Sequence, residues 1–253
     1  MLVLTVFGTL ILLMLLGVPI ALSLGLTAIG TMYWMGGTDL LIMFGQRAYF
    51  GTTSFPLLAV PFFILAGNLM NTGGITERIF AVAQLCVGRI HGGLGHVNVI
   101  ASMIFAGMSG SAVADAAGLG LVEISAMTKA GYTARFSAAI TAVSSTIGPI
   151  IPPSLPMVIY GVSADVSVGK LFMGGVIPGL LMGLSLMIMV GFVARSEGMA
   201  RKPFAGFAEI GRTFFRGFFA IMTPVVILGG MFSGAFTPTE AASVGAFAGL
   251  LMM

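Results

Sequence analysis

Gly107-Met108-Ser109-Gly110-Ser111-Ala112-Val113-Ala114-Asp115 and Ser144-Ser145-Thr146-Ile147-Gly148-Pro149-Ile150-Ile151-Pro152-Pro153-Ser154 are the two runs on which the fold turns. Both are polar and helix-breaking. Each is flanked on both sides by apolar segments about half a membrane long. Irregular backbone is tolerated in hydrocarbon only where it is buried in protein or lines a cavity, because every unpaired N–H or C=O there costs several kcal/mol. A pair of such breaks predicts half-helices whose ends and freed carbonyls face one another.

Working outward, the remaining sequence supplies the membrane that this reading needs. The chain is 58% hydrophobic and 8% charged, against about 25% charged in an ordinary soluble domain. No charged side chain occurs from Met1 to Thr38, almost twice the roughly 20 residues a spanning helix requires. The N-terminus lacks the basic start of a signal peptide, so the first segment is expected to be a permanent span. The net charge of +3 resides in loops and is no nucleic-acid footprint. Cys86 is the only cysteine, which excludes an intrachain disulfide, and the 37 glycines suit close helix approach in lipid. No Walker loop ending in Lys-Ser or Lys-Thr occurs, which argues against ATP hydrolysis.

Leu2 to Tyr33 is expected to form one long span kinked at Gly17-Val18-Pro19, with a hairpin as the second reading, and Asp39 to Thr53 an interfacial connection. A span over Phe55 to Thr72 follows. Thr76 is expected to cap a short surface helix from Glu77 to Gly88, with Ile79, Val82, Ala83 and Leu85 on its packed face. Between Gly92 and Lys129 the pattern runs apolar, then Ser-Gly-Ser, then apolar apart from Asp115 and Glu123. Basic or titratable groups stand at both ends in Arg89, His91, His96 and Lys129. Both ends therefore belong on one side of the membrane, which predicts a re-entrant hairpin. Thr133 to Val162 forms a broken span and Leu171 to Ala194 returns. The loop Arg195 to Arg216 gathers Arg195, Arg201, Lys202, Arg212 and Arg216, which makes it cytoplasmic by the positive-inside rule. Counting back from it places the N-terminus in the cytoplasm.

An offset of 163 positions aligns Pro61, Ile64, Leu65, Gly67, Thr76 and Glu77 with Pro224, Ile227, Leu228, Gly230, Thr239 and Glu240. The charge pattern runs the two copies in opposite directions, as in inverted-repeat transporters. A second re-entrant tip would then fall beyond Met253. The expected organisation is residues 1–54 as scaffold span and connection, 55–92 as scaffold span and arm helix, 93–194 as the transport portion, and 195–253 as basic loop and start of the second repeat. The fold class is thus an all-α polytopic membrane protein, an inverted-repeat, elevator-type transporter with a re-entrant hairpin and a broken transmembrane helix. The sequence reads as truncated after the opening of its second repeat.

At the first run Ser109 and Ser111 bracket Gly110, and Ser111 or Gly110 can cap the helix starting near Ala112. Its N–H groups favour an anion, and the carbonyls ending the preceding half-helix favour a cation. The plain alternative is small-residue packing around a kink. Asp115 is either a functional intramembrane carboxylate or a partner of the helix dipole. In the second run Ser144, Ser145 and Thr146 offer hydroxyls. Pro149, Pro152 and Pro153 lack N–H donors and leave upstream carbonyls free. Such oxygens suit Na⁺; the alternative is a kinked helix repaired by its Ser and Thr. His91 and His96 read as interfacial residues, and Glu77 and Glu240 as first-turn capping residues. The 19 methionines fill core or face lipid.

Phe55-Pro56-Leu57-Leu58-Ala59-Val60-Pro61-Phe62-Phe63-Ile64-Leu65-Ala66-Gly67, Met108 to Asp115, Gly148 to Ser154 and Phe236-Thr237-Pro238-Thr239-Glu240-Ala241-Ala242 together resemble the large membrane subunit of tripartite ATP-independent periplasmic (TRAP) transporters. The resemblance runs almost end to end. It implies a Na⁺-coupled importer of organic acids such as C4-dicarboxylates or sialic acid, resident in the bacterial inner membrane. The implied partners are a small membrane subunit and a periplasmic substrate-binding protein, and the implied mechanism is an elevator. By motif, substrate would lie beside Ser109, Gly110, Ser111 and Ser154. Na⁺ would lie among Ser109, Ser111, Ser145, Thr146, Gly148, Pro149 and Pro152. The alternatives are a stand-alone Na⁺-coupled carboxylate symporter and, more distantly, a membrane-embedded enzyme using Asp115. The latter lacks a second reactive group at a suitable spacing.

Overall fold

A computed structural model describes residues 1–196 and 207–252. The chain divides into two compact units, Met1–Ser54 and the remainder from Phe55. Among the described residues four helices are long and apolar enough to cross a membrane: Ile20–Thr53, Phe55–Thr72, Val168–Ser196 and Gly211–Phe232.

The first unit holds α1 (Leu2–Leu15) and α2 (Ile20–Thr53). The expected bend at Gly17 is instead a helix end. Gly17 takes φ +80° and donates to Met14 O, while Val18 donates to Leu13 O. This pair of bonds is the Schellman termination, which needs a left-handed residue and is followed here by the helix-stopping Pro19. The expected interfacial connection from Asp39 is also helical, separated from the start of α2 by non-helical Gly36 and Gly37.

The second unit begins with a 3₁₀ turn, Phe55–Leu58, and α3 (Ala59–Thr72). The next helix, α4 (Ile75–Val87), starts after left-handed Gly74. Thr76 does not cap it as expected. Its hydroxyl is buried and donates to Asn71 Oδ1 at 3.0 Å. The anticipated face holds, with Ile79, Val82 and Ala83 buried and Glu77 and Arg78 exposed.

The hairpin follows as α5 (Gly93–Ser109), α6 (Ala112–Ala117) and α7 (Leu119–Lys129). Its second arm is interrupted at Gly118, against which the Asn71 side chain is pressed so closely that a Cβ would collide with it. His96, expected at an interface, is buried within α5. The broken span is α8 (Ala134–Ser145), turns from Thr146 to Ser154, and α9 (Leu155–Ser163). Thr133 caps α8, accepting from Phe136 N–H.

The return span, α10 (Val168–Ser196), shows the membrane pattern most directly. Gly175, Gly179 and Gly183 are buried, whereas Ile177, Leu180, Leu181, Leu184, Ile188 and Phe192 are exposed. Small residues inside and large apolar ones outside reverse the soluble arrangement and suit lipid. Gly179 meets Ile151, Gly183 meets Met103, and Gly175 meets the Ile150 carbonyl, each too close for a Cβ. The glycine stripe therefore lets α10 clamp both the hairpin and the broken loop.

The sequence closes with α11 (Phe207–Phe232) and α12 (Pro238–Leu251). Arg212 and Arg216, expected in a loop, belong to α11, while Arg201 and Lys202 lie outside the described residues. Ile75 and Pro238, paired by the repeat offset, open α4 and α12. The two copies interlock: α3 packs on α12, and α4 on α11. Gly245 and Gly249 of α12 settle against Ala66, Leu69 and Met70 of α3. The start of α12 carries a capping box, Thr237 with Glu240. Bonds from the Thr237 N–H and hydroxyl hold the exposed Glu240 carboxyl below the usual carboxylate range.

Candidate functional site

The hairpin tip and the broken loop meet. Gly110 ends α5 in the left-handed conformation and donates to Ala106 O. Its own carbonyl accepts the Leu155 N–H at 3.2 Å, joining the tip to the start of α9. Only glycine fits there, because a Cβ on Gly110 would lie 2.4 Å from the Pro153 carbonyl oxygen. One residue on, Ser111 caps α6, its hydroxyl accepting from Ala114 N–H at 3.3 Å. Gly148 packs against the tip backbone at Ser111 and Ala112, where a Cβ would stand 3.2–3.3 Å from them. On the other side Gly67 of α3 lets Ser109 approach, a Cβ there lying 3.6 Å from Ser109 Cβ.

The candidate residues divide by what their side chains already do. Ser109 is 2% exposed, and its hydroxyl has no partner. Ser145 donates to Ala142 O at 3.0 Å, and Thr146, which is exposed, donates to Val143 O at 2.6 Å. These two hydroxyls mend their own helix end. Ser154 caps α9 by accepting from Met157 N–H and donates to Pro149 O, so that carbonyl is not free as expected. Turn bonds also occupy the Ser144, Ser145 and Ile147 carbonyls, which accept from Ile147, Gly148 and Ile150 N–H. Pro152 lies at the interface by its carbonyl, 3.9 Å from where a Gly107 Cβ would be.

Beside the tip opens a cleft of about 490 Å³, lined by Phe63, Asn68, Asn71, Ser109, Ser111 and Leu155 among others, with no charged side chain on its wall. Apolar walls with a few converging hydroxyls and amides can hold and orient a small polar molecule. Asn68 and Asn71, three apart at the end of α3, were not singled out in the sequence; their signal was a pair of amides in an otherwise apolar span.

Beneath the tip a buried network was also missed. Asn98 Nδ2 donates to Thr141 Oγ1 at 2.7 Å, Ser144 donates to Asn98 Oδ1 at 2.7 Å, and Ser102 donates to Ser144 at 3.1 Å. These bonds tie α5 to α8 directly below the two breaks. Asn98 and Ser102 stand i, i+4 on α5, and Thr141 and Ser144 i, i+3 on α8, so each pair marks one helix face.

Comparison with known proteins bears on this geometry. The family described as "Tripartite ATP-independent periplasmic transporter, DctM component" matches residues 7–253. The chain is 47% identical over 236 residues to the sialic acid TRAP transporter large permease protein SiaM of Vibrio cholerae, covering 93% of this chain and 55% of that protein. It is 49% identical over 238 residues to the sialic acid TRAP transporter permease protein SiaT of Haemophilus influenzae, covering 93% and 38%. To the C4-dicarboxylate TRAP transporter large permease protein DctM of Vibrio cholerae it is 42% identical over 233 residues, covering 92% and 51%. The chain thus spans between 38% and 55% of the length of these three relatives.

Proposed function

Because this chain belongs to the DctM-component family of tripartite ATP-independent periplasmic transporters, we propose that it forms the first-repeat portion of a large permease subunit importing an organic acid with Na⁺. It is a transporter component rather than an enzyme, as its relatives are named permeases. Sialic acids and C4-dicarboxylates, named for those relatives, are the substrate classes proposed. A small membrane subunit and a periplasmic binding protein complete the proposed system in the bacterial inner membrane, with the N-terminus in the cytoplasm.

The observation that carries the reading is the junction of hairpin tip and broken loop, with the buried, unpartnered Ser109 hydroxyl at its centre. In this reading Ser109 Oγ and backbone carbonyls of the two breaks supply oxygens to Na⁺. Gly110, Ser111 and Ser154 shape the tip beside the substrate. The roles of Ser145, Thr146, Gly148, Pro149 and Pro152 become those of a frame: hydroxyls and rings fix the loop, Gly148 admits the tip backbone, and any ion contact comes from main-chain oxygens. Binding of Na⁺ would join two pieces of backbone that otherwise meet only through packing and the Leu155 to Gly110 bond. Ion and substrate can then stabilise one closed arrangement together.

The test is uptake of labelled carboxylates into proteoliposomes by the full-length protein containing this chain, with its small subunit and binding protein. An inward Na⁺ gradient should be required, and so should the binding protein. Uptake driven by Na⁺ without the binding protein would overturn the tripartite part of the reading. Failure across sialic acids and dicarboxylates under both conditions would overturn the substrate class.

A further inference from the structure

Where α4 packs on α11, two cavities open side by side. Gly217 of α11 permits the approach, since a Cβ on it would collide with Val82 Cγ2 and lie 3.5 Å from the Arg78 carbonyl oxygen. Arg78 of α4 and Arg216 of α11 thus stand on neighbouring positions of two packed helices. Both line the first cavity, of about 680 Å³, together with Glu77, Phe215 and Phe219. The second, of about 410 Å³, is an apolar groove between α11 and α12. It runs from Phe219 and Met222 past Val226 and Ile227, with Val244 and Leu251 across from them. Arg78 and Phe219 line both cavities, so the two adjoin.

Their walls differ in chemistry. Arg78 and Arg216 are exposed, and among the described residues neither guanidinium has a hydrogen bond or ion pair. Glu77 supplies the carboxylate of the first cavity. Its Oε2 would lie 3.5 Å from a Cβ on Gly74, so it leans back over the start of α4, where the helix dipole favours it. Two guanidiniums against one carboxylate leave that wall with one net positive charge. The groove offers nothing comparable: the hydroxyl of Thr223, on its wall, is spent on the Phe219 carbonyl at 2.9 Å. Arg216 sits at the end of the α11 span that the positive-inside rule assigns to the cytoplasm. From Phe219 to Ile227 the groove extends about 12 Å from that end into the span.

We propose that the two cavities form a site for one anionic phospholipid, with its phosphodiester between Arg78 and Arg216 and an acyl chain in the groove along α11. Charge selects this occupant. A phosphodiester carries a single negative charge, equal and opposite to that of the wall, and its oxygens accept the forked N–H groups of guanidinium. Basic pockets between membrane helices on the cytoplasmic side suit such headgroups. A protein segment laid in the groove would cover the same apolar wall and leave both guanidiniums unmatched. Access agrees as well, since Phe219, Val226 and Leu251 are exposed where lipid surrounds the span. The site has a structural consequence. Arg78 belongs to the first repeat copy and Arg216 to the second, so a headgroup held by both fastens the copies together beside Gly217.

Native mass spectrometry on the full-length protein containing this chain tests this by counting bound lipid, so its failure is separate from failure of the transport reading. The protein is titrated in detergent with phosphatidylglycerol or with phosphatidylcholine of the same acyl chains. The wild type should hold one phosphatidylglycerol about tenfold more tightly than phosphatidylcholine. Arg78→Gln/Arg216→Gln, checked for wild-type helical content by circular dichroism, should lose that preference and keep its phosphatidylcholine binding. Arg135→Gln/Arg195→Gln removes the same charge from exposed positions outside both cavities and should retain the preference. A wild type without the preference would overturn the proposal with no variant needed, and would give the groove to protein, either residues following Met253 or a second copy. Equal loss in the two double variants would reduce the effect to overall charge and refute the site. Displacement of phosphatidylglycerol by inorganic phosphate would show a free-phosphate site and refute the acyl-chain groove.

Discussion

Replacing Gly110 by alanine should be the most damaging single-methyl change at the hairpin tip. Two costs act at once. The residue has φ +60°, where a side chain costs about 1–2 kcal/mol. The new Cβ would also stand 2.4 Å from the Pro153 carbonyl oxygen and 3.1 Å from Ser154 Cα, both backbone atoms that cannot rotate away. Overpacking of this kind costs about 1–3 kcal/mol, so the whole penalty is about 2–5 kcal/mol. For a chain of this size that corresponds to a melting-temperature loss of roughly 4–20 °C. Gly131 supplies the control, with φ +89° but open space around its Cβ position. Gly131→Ala should lose only the backbone part, about 1–2 kcal/mol. Thermal unfolding of both variants in detergent, followed by circular dichroism, measures the difference. Equal shifts for the two would refute the tip-to-loop contact, because only Gly110 touches the broken loop.

Ser109→Ala removes a buried hydroxyl without a partner, so the melting temperature should hold or rise. Na⁺ affinity, read from the Na⁺ dependence of uptake, should fall about tenfold, the worth of about 1.4 kcal/mol; unchanged affinity would remove Ser109 from the ion site. Asn98→Ala leaves the Thr141 and Ser144 hydroxyls with lost partners and should cost about 2–5 kcal/mol, seen as a lower melting temperature; no change would mean the network adds nothing to stability. Thr237→Ala should cost about 1 kcal/mol through loss of the helix cap. Because Thr237 lowers the folded-state value of Glu240, that carboxylate's contribution is present above its unfolded value and fades as pH falls through the folded one. The gap between wild type and Thr237→Ala in thermal scans should therefore narrow in acid.

The hairpin and the broken span were legible because two local signals coincided: Gly and Pro where helices must stop, and charges that force both hairpin ends to one side. Residue type narrowed the cap of α6 to Ser111 or Gly110, and the bond from Ala114 N–H decides for Ser111. At Gly17 the sequence favoured a bend over a hairpin break, since a Gly followed by Pro19 is compatible with either, and the Schellman bonds decide for a helix end. Thr76 failed as a cap because Asn71, five residues back, takes its hydroxyl, a partnership that no spacing rule marks. Ser145, Thr146 and Pro149 were correctly placed at the break, but hydroxyl content could not say which oxygens are already spent on the backbone.

The interlocked repeat copies impose an order in time on the making of this protein. Gly245 and Gly249, the surfaces that receive Ala66 and Met70, are in the second copy, offset by 163 residues from the first. At ribosomal speeds that delay is roughly 8–30 s. Throughout it α3 waits without α12 and α4 without α11, and the insertion machinery or the surrounding lipid must shelter those faces. The first copy is thus a guest in the bilayer before it becomes part of a protein.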